Sequence, residues 1–247
     1  MRSLPIVLST LCIIALASDV LAFQFAPFRV KFDPTGPGAS QLFTVKNNTD
    51  QPATVQIRAT TREVDENGVE KNEDAEKDFT IYPPQVVLKP HAQRSVRIQW
   101  MGDANLRREK AYRIIAEQLP VNLDKDAPHH SAVKFLVDYR AAAFVTPAGL
   151  APDLKMESSD ATTVNGKKML ELVFNNVGTQ HLLLRNLKLD LKDNRGNEIH
   201  LTGDKQLKHI DGEGILAGHK RRFLLPWPKD LTGSLQTVDF TFDKQAF

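Results

Sequence analysis

The stretch from Val133 to Val145 alternates between two kinds of side chain over its whole length. One row is entirely apolar and consists of Val133, Phe135, Val137, Tyr139, Ala141, Ala143 and Val145. The other row mixes charged and apolar residues. A period of two with one apolar face is typical of a β-strand packed against a core. The pattern therefore predicts a long strand, which either simply closes a sandwich or offers an edge to another chain.

The first 22 residues have the features of a secretory signal. Arg2 precedes an apolar run from Leu4 to Leu16, and Val20-Leu21-Ala22 ends in a small residue suited to cleavage. The run is too short to span a bilayer. Cleavage after Ala22 would leave 225 residues without cysteine, because Cys12 lies in the removed segment. We therefore expect an exported protein whose cores are stable without disulfides.

Charge and hydropathy limit the partners of the mature chain. Beyond residue 22 there are 31 basic and 29 acidic residues, a net charge of only +2. This balance argues against nucleic acid or an anionic membrane surface as the main partner. No later apolar run reaches the roughly 20 residues that a membrane-spanning helix needs, so we expect no membrane insertion.

Short apolar segments separated by Pro, Gly and Asn recur throughout the mature chain, and helical periodicity is sustained nowhere. Such spacing is typical of antiparallel sandwiches. A proline-rich break follows Val145, in the run Thr146-Pro-Ala-Gly-Leu-Ala-Pro152. The sequence therefore predicts an all-β protein with a signal peptide at 1–22, one domain at 23–146 and a second at 147–247. The charged stretch 62–78, with Asn67-Gly68 at its tip, is interpreted as a solvated hairpin.

No motif for catalysis or cofactor binding is present. The sequence lacks a Gly-x-Ser-x-Gly elbow, a His-Glu-x-x-His motif and a glycine-rich phosphate loop. His129 and His130 are adjacent, but neighbouring residues of a strand point to opposite faces and chelate a metal poorly. We therefore expect no enzyme activity, no cofactor and no metal.

Five charged residues lie within or beside apolar strand patterns: Arg29, Glu109, Lys134, Arg140 and Asp230. A charge in a strand usually faces solvent. Several charges near one domain boundary, however, could form a hydrogen-bonded cluster between the domains.

These features together resemble the PapD-like periplasmic chaperones of the chaperone–usher pilus pathways. The resemblance covers essentially the whole mature chain, and no single motif is diagnostic. It depends on the order and spacing of Phe28-Arg29-Val-Lys-Phe32, Pro83-Pro84, Leu88-Lys-Pro90, Val96-Arg97-Ile98, Tyr112 to Pro120 and Tyr139-Arg140. The resemblance implies two immunoglobulin-like domains set at an angle, with a cleft between them. It also implies pilus subunits and an outer-membrane usher as partners.

The resemblance further implies roles for particular residues. Arg29 matches the arginine that holds the C-terminal carboxylate of a pilus subunit. The family's second anchor, a lysine, is replaced here by Leu136, and Lys134 is the nearest substitute. An interdomain ion cluster is expected from Glu109, Arg140 and Asp230.

The expected donor strand, which would complete the sandwich of a bound subunit, contains Val133, Phe135 and Val137. Val121 and Leu123 are the alternative set. Upstream, the row continues with Ser131 and His129 where the family has bulky apolar residues, which suggests a divergent, archaic or alternative branch.

Two other classes of protein share parts of this pattern. An exported adhesin or carbohydrate-binding module has the same sandwich architecture, but it would want exposed aromatic residues on loops, and the chain has only two Trp and three Tyr. A secreted hydrolase would need a catalytic motif that the sequence does not show. The chaperone interpretation is therefore preferred.

Overall fold

The computed structural model describes residues 23–120 and 136–243, apart from the side chains of residues 204 and 205. Nineteen strands are defined within these ranges, together with one four-residue helix, α1 (Gly203–Gln206), and two short 3-10 turns. Alternating burial runs along most of the strands, as expected for sheets with one face against a core. The prediction of an all-β protein is confirmed.

Eleven strands belong to the first domain. They are β1 (Phe23–Ala26), β2 (Arg29–Phe32), β3 (Ser40–Asn47), β4 (Ala53–Thr61), β5 (Glu63–Val64), β6 (Glu70–Lys71), β7 (Phe79–Tyr82), β8 (Gln85–Leu88), β9 (Gln93–Trp100), β10 (Lys110–Leu119) and β11 (Asp138–Val145). One sheet has the order β1-β3-β9-β7 and the other the order β2-β11-β10-β4-β8. Their facing sides enclose a core rich in aromatic residues, in which Phe79 contacts Phe32, Trp100 and Tyr112 edge-on.

The N-terminal segment contributes to both sheets of this sandwich. β1 pairs with β3 in one sheet, and after Pro27 the chain crosses over so that β2 pairs with β11 in the other. A proline cannot donate to a ladder, so it suits the point where one pairing ends and the next begins. The segment on either side of Pro27 therefore forms two strands and not one, and β2 runs parallel to β11.

The second domain has its own apolar core, formed mainly by leucines. Its strands are β12 (Leu154–Val164), β13 (Lys167–Asn176), β14 (Leu182–Leu183), β15 (Arg185–Asp193), β16 (Glu198–Thr202), β17 (Gly214–Ile215), β18 (Lys220–Pro226) and β19 (Leu235–Asp243). They form sheets with the orders β12-β13-β18 and β16-β15-β19, and β14 pairs with β17. In the part of the chain that the structure describes, no helix has the length and apolarity that crossing a bilayer requires.

The charged segment between β4 and β7 forms a hairpin that connects the two domains. Its tip contacts β18, where the Glu66 carbonyl accepts a hydrogen bond from the Arg222 backbone N–H at 2.7 Å, and the Asn67 side chain accepts from the Arg222 guanidinium. Nearby, Glu63 lies 2.7 Å from His219. The hairpin is present as predicted, with Asn67-Gly68 at its tip, but it is not merely solvated, because it contacts the second domain.

Candidate functional site

The edge of β11 that faces β2 is only half covered. β2 pairs with Ala142 through Val145, whereas β11 begins at Asp138. The opposite edge is paired with β10 along its full length, from Asp138 to Val145. Residues Asp138–Ala141 therefore have an unpaired edge within the described chain, which we call the free edge. Such an edge can pair with a strand from another protein.

Hydrogen-bond alternation identifies the backbone groups at the free edge. The Ala142 N–H donates to the Phe28 carbonyl on the β2 side, whereas the Val137 carbonyl accepts from the Gln118 N–H on the β10 side. Because the direction of these groups alternates along a strand, the backbone groups of Asp138 and Arg140 face the free edge.

Arg29 stands where the free edge ends. It is the first residue of β2 and pairs with Ala142. Its side chain lines a cavity of about 210 Å³ between the domains, which we call the anchor cavity. Arg62, Phe144, His181, Leu183 and the loop 212–216 form the other walls. An arginine half-buried beside unpaired backbone is positioned to bind the end of an incoming strand.

The anchor cavity is electropositive. The pKa of Arg29 lies below its ordinary value, because burial and the positive charge of Arg185 outweigh the attraction of Glu109. The pKa of Arg62 is also lowered, by burial and then by the charge of Arg113, although Glu70 acts in the opposite sense. Arginines nevertheless stay protonated at neutral pH. The positive charge of the cavity would therefore favour binding of an anionic ligand.

Glu70, on β6, holds two arginines at once. Its carboxylate accepts hydrogen bonds from Arg113 Nε and Nη2, at 2.9 and 2.6 Å, and from Arg62 Nε at 3.0 Å. Burial pushes the pKa of Glu70 upward, but the hydrogen bonds from Arg113 and Asn72 and the charges of both arginines lower it to about 2. Nothing in the local sequence distinguishes Glu70 from the other acidic residues of the hairpin, and sequence reasoning missed it.

A buried polar junction joins the two domains beside the cavity. Glu109 accepts hydrogen bonds from the His181 backbone N–H at 3.0 Å and from its ring Nδ1 at 2.6 Å, and from the Thr146 hydroxyl at 2.8 Å. The side chains of Glu109 and His181 are only 1% and 2% exposed. Phe144 stacks on the His181 ring, with centroids 3.9 Å apart and planes 8° apart. Glu109 is thus an interdomain residue as expected, but its partner is a histidine that the sequence did not single out.

The predicted cluster of Glu109, Arg140 and Asp230 is not formed. Arg140 is exposed, and its guanidinium donates to Asn72 of the hairpin. Asp230 is exposed in the turn after β18 and, within the described chain, makes no side-chain hydrogen bond or ion pair. This turn follows Pro226. The residues of β18 that lie toward the first domain, Arg221 and Arg222, are nearer the other end of the strand. Arg140 and Asp230 could be buried only beside partners that satisfy their charges. Within the described chain, the fold does not bring such partners to them.

The predicted donor residues divide into two groups. Val133, Lys134 and Phe135 lie outside the described residues, as do the alternatives Val121 and Leu123. Val137 is described, and it packs against the core of its own domain. The donor role given to Val137 is therefore not supported, because its side chain already packs within its own domain. Leu136, at the position of the family's lysine, is 54% exposed.

Within the described ranges, no group of His, Cys, Asp or Glu side chains has a metal-binding arrangement. The site instead combines a free strand edge with a cationic cavity at one end. Together with two sandwich domains, this defines an immunoglobulin-like protein suited to binding an extended chain.

Comparison with known proteins identifies the family of the chain. The model of the family of pili and flagellar-assembly chaperones, PapD N-terminal domain, matches residues 22–151. The match covers more than half of the chain, and the protein belongs to this family. No curated protein sequence matches the chain significantly.

Solved structures of pilus chaperones share the fold across both domains. A chain of the CsuC–CsuE chaperone–tip adhesion subunit complex, from the archaic Csu pili of Acinetobacter baumannii, has a TM-score of 0.58 and 16% identity, covering 85% of this chain and 89% of that one. The class 5 fimbriae chaperone CfaA has a TM-score of 0.56 and 13% identity, with 90% and 99% covered. A chain of the Salmonella enterica SafA pilin–SafB chaperone complex has a TM-score of 0.52 and 15% identity, with 92% and 98% covered. The expectation of two immunoglobulin-like domains is confirmed.

Proposed function

We propose that the protein is a periplasmic chaperone that captures pilus subunits on the free edge of β11 and holds their C-terminal carboxylate at Arg29. It then delivers them to an outer-membrane usher. Family membership supports the general role, and two of the similar structures are described as complexes with a pilus subunit. A subunit that lacks its last strand exposes unpaired backbone and an apolar groove, and a donated strand satisfies both.

The observation that carries the proposal is the direction of β2. β2 runs parallel to β11 on the same edge and begins at Arg29, opposite Ala142. A guest strand parallel to β11 on the free edge would therefore end where β2 begins, and its C-terminus would lie beside Arg29. An antiparallel guest would place its positively charged N-terminus there instead. Arg29 thus favours parallel pairing.

A carboxylate in the half-buried cavity needs donors already in place. Leaving it unpaired there would cost several kcal/mol. The planar guanidinium of Arg29 can donate to both carboxylate oxygens, whereas a lysine would offer one compact charge. We therefore assign the main anchoring role to Arg29. Lys134 remains a proposed contributor from the segment outside the described residues.

The donor side chains belong upstream of Asp138 in this proposal. Val133 and Phe135 continue the apolar row, and each would contribute about 1.5–3 kcal/mol if fully buried in a subunit groove. Changing both to threonine should abolish capture and leave the chaperone folded. If the double variant unfolds, these residues belong to the chaperone's own core.

The test of anchoring is co-expression with the pilus subunits of the source bacterium, followed by recovery of the complex from the periplasm. Arg29→Ala should nearly abolish recovery, and Arg29→Lys should impair it although the charge is kept. Lys31→Ala is the matched control, because Lys31 is an exposed residue of the same strand whose salt bridge is to Asp33. Wild-type recovery with Arg29→Ala would remove anchoring at Arg29 from the mechanism.

A further inference from the structure

We propose that Arg62 is the second cationic anchor for the subunit carboxylate, a role that the family resemblance led us to assign to Lys134. The inference rests on the proposed function and adds a residue to the same site. Arg62 directly follows β4, three strands away from β2 in the sheet. The topology nevertheless gives both arginines a side of the same anchor cavity.

The pairing register of β2, β11 and β10 explains why Arg29 and Arg62 reach the same cavity. Arg29 pairs with Ala142, and Ala142 pairs with Arg113, so these residues form one row across three strands. The central member of the row has only a methyl group. Neighbouring strands are about 4.8 Å apart, so the space above Ala142 separates Arg29 from Arg113 by roughly twice that distance. Glu70 lies over Arg113 and brings Arg62 to the same place.

The hydrogen bonds of the two arginines at Glu70 differ. Arg113 donates from both Nε and Nη2, one to each carboxylate oxygen, and is held in a bidentate pair. Arg62 uses only Nε, and its Nη groups make no hydrogen bond within the described chain. The Arg62 side chain keeps 20% of its surface exposed. Its remaining donors can therefore reach a ligand in the cavity.

The charge around the cavity also favours a second contact. Arg29, Arg62, Arg113 and Arg185 are near one another, and their carboxylate neighbours are Glu70 and Glu109. Both carboxylates already accept several hydrogen bonds. Glu213, on the opposite wall, is paired with Arg221. A single carboxylate bound between Arg29 and Arg62 would offset part of the positive charge gathered at the cavity.

The experiment uses the pilus subunit that co-purifies with the wild-type chaperone. Arg62→Ala should lower recovery of the complex roughly tenfold, as expected for one charge-assisted hydrogen bond, and Arg62→Lys should restore part of it. Arg58→Ala is the matched control, because Arg58 lies on β4 shortly before Arg62 and forms an exposed pair with Glu117. Glu70→Gln should lower recovery by a smaller factor than Arg62→Ala, because it weakens the support of Arg62 but leaves the guanidinium in place.

A coupling measurement separates anchoring from a structural role. The same variants are tested against the subunit extended at its C-terminus by a short Gly-Ser segment, which moves the carboxylate away from the cavity. Arg62→Ala should then cause no further loss. Equal losses with both subunits, or wild-type recovery with Arg62→Ala, would overturn the proposal. If Arg29→Ala abolishes capture and Arg62→Ala does not reduce it, Arg62 is excluded and the proposed function stands. If Arg29→Ala behaves like wild type, the proposed anchoring itself fails.

Discussion

The carboxylate of Glu109 in the first domain accepts two hydrogen bonds from His181 in the second, one from its backbone and one from its ring. Both side chains are buried. Because the two residues belong to different sandwiches, this pair fixes one domain against the other at the wall of the anchor cavity. The geometry of the anchor cavity therefore depends on this interdomain contact.

The first prediction concerns this pair. His181→Leu leaves the buried Glu109 without its ring donor, and a buried acceptor that loses a hydrogen-bond partner costs about 1–3 kcal/mol. We expect a reduction near the lower limit, because the Thr146 hydroxyl and the backbone N–H remain. Urea unfolding measures the change. His181→Asn is the control, because its amide can donate from a position close to that of Nδ1, and it should be the milder variant. Equal stability of His181→Leu and wild type would contradict the assignment.

The second prediction reverses what the sequence suggested for Arg140 and Asp230. Both residues are exposed, and surface substitutions usually change stability by less than about 0.5 kcal/mol. Arg140→Ala and Asp230→Ala should therefore unfold in urea close to wild type. A loss of several kcal/mol in either variant would indicate a buried interdomain role.

The third prediction concerns the pH dependence introduced by Glu70. Its pKa is lowered on folding to about 2, so its stabilising contribution is fully present above the unfolded-state pKa of about 4.3. The contribution is lost as the pH falls from there through 2. The stability difference between wild type and Glu70→Gln should thus be constant near neutral pH and shrink in acid. Urea unfolding at a series of pH values gives this difference, and a gap that widens in acid would contradict the sign.

The fourth prediction tests the free edge through the backbone alone. Asp138→Pro removes an N–H that faces the free edge, whereas Tyr139→Pro removes one from the β10 ladder. We expect Asp138→Pro to remain folded and to lose subunit capture. Tyr139→Pro should destabilise the domain itself. Thermal melts and complex recovery distinguish these outcomes, and normal capture by Asp138→Pro would place the guest strand elsewhere.

The sequence predicted the fold well because alternation is a local signal. The apolar row before Val145 identified β11, and the Pro-rich break after it coincides with the change from one core to the next. The split of the first strand into β1 and β2 was not predicted, because the pattern on either side of Pro27 does not show which sheet each half joins. β12 was missed as well, since only some of its residues are apolar and its burial is shallow.

The site was only partly predictable, for a different physical reason. Arg29 was found through a family motif, and the structure places it at the cavity. His181 and Glu70 act through partners distant in sequence: His181 lies 72 positions after Glu109, and Arg113 lies 43 positions after Glu70. Local sequence patterns do not reveal which distant residues will form such pairs. Asp230 was chosen by analogy with the family, and here the turn that contains it lies away from the other domain.

The start of β2 limits how far a guest strand can extend along the edge of β11. Because β2 occupies the edge from Ala142 onward, a parallel guest can advance only until its last residue meets Arg29. The pairing register of the guest strand would then be fixed by the position of its C-terminal residue. A guest with one residue more or fewer would turn its other face toward the donor side chains, because side chains alternate with a period of two. Capture would thereby discriminate against subunits with a truncated or extended C-terminus, and the fold would act as a length gauge.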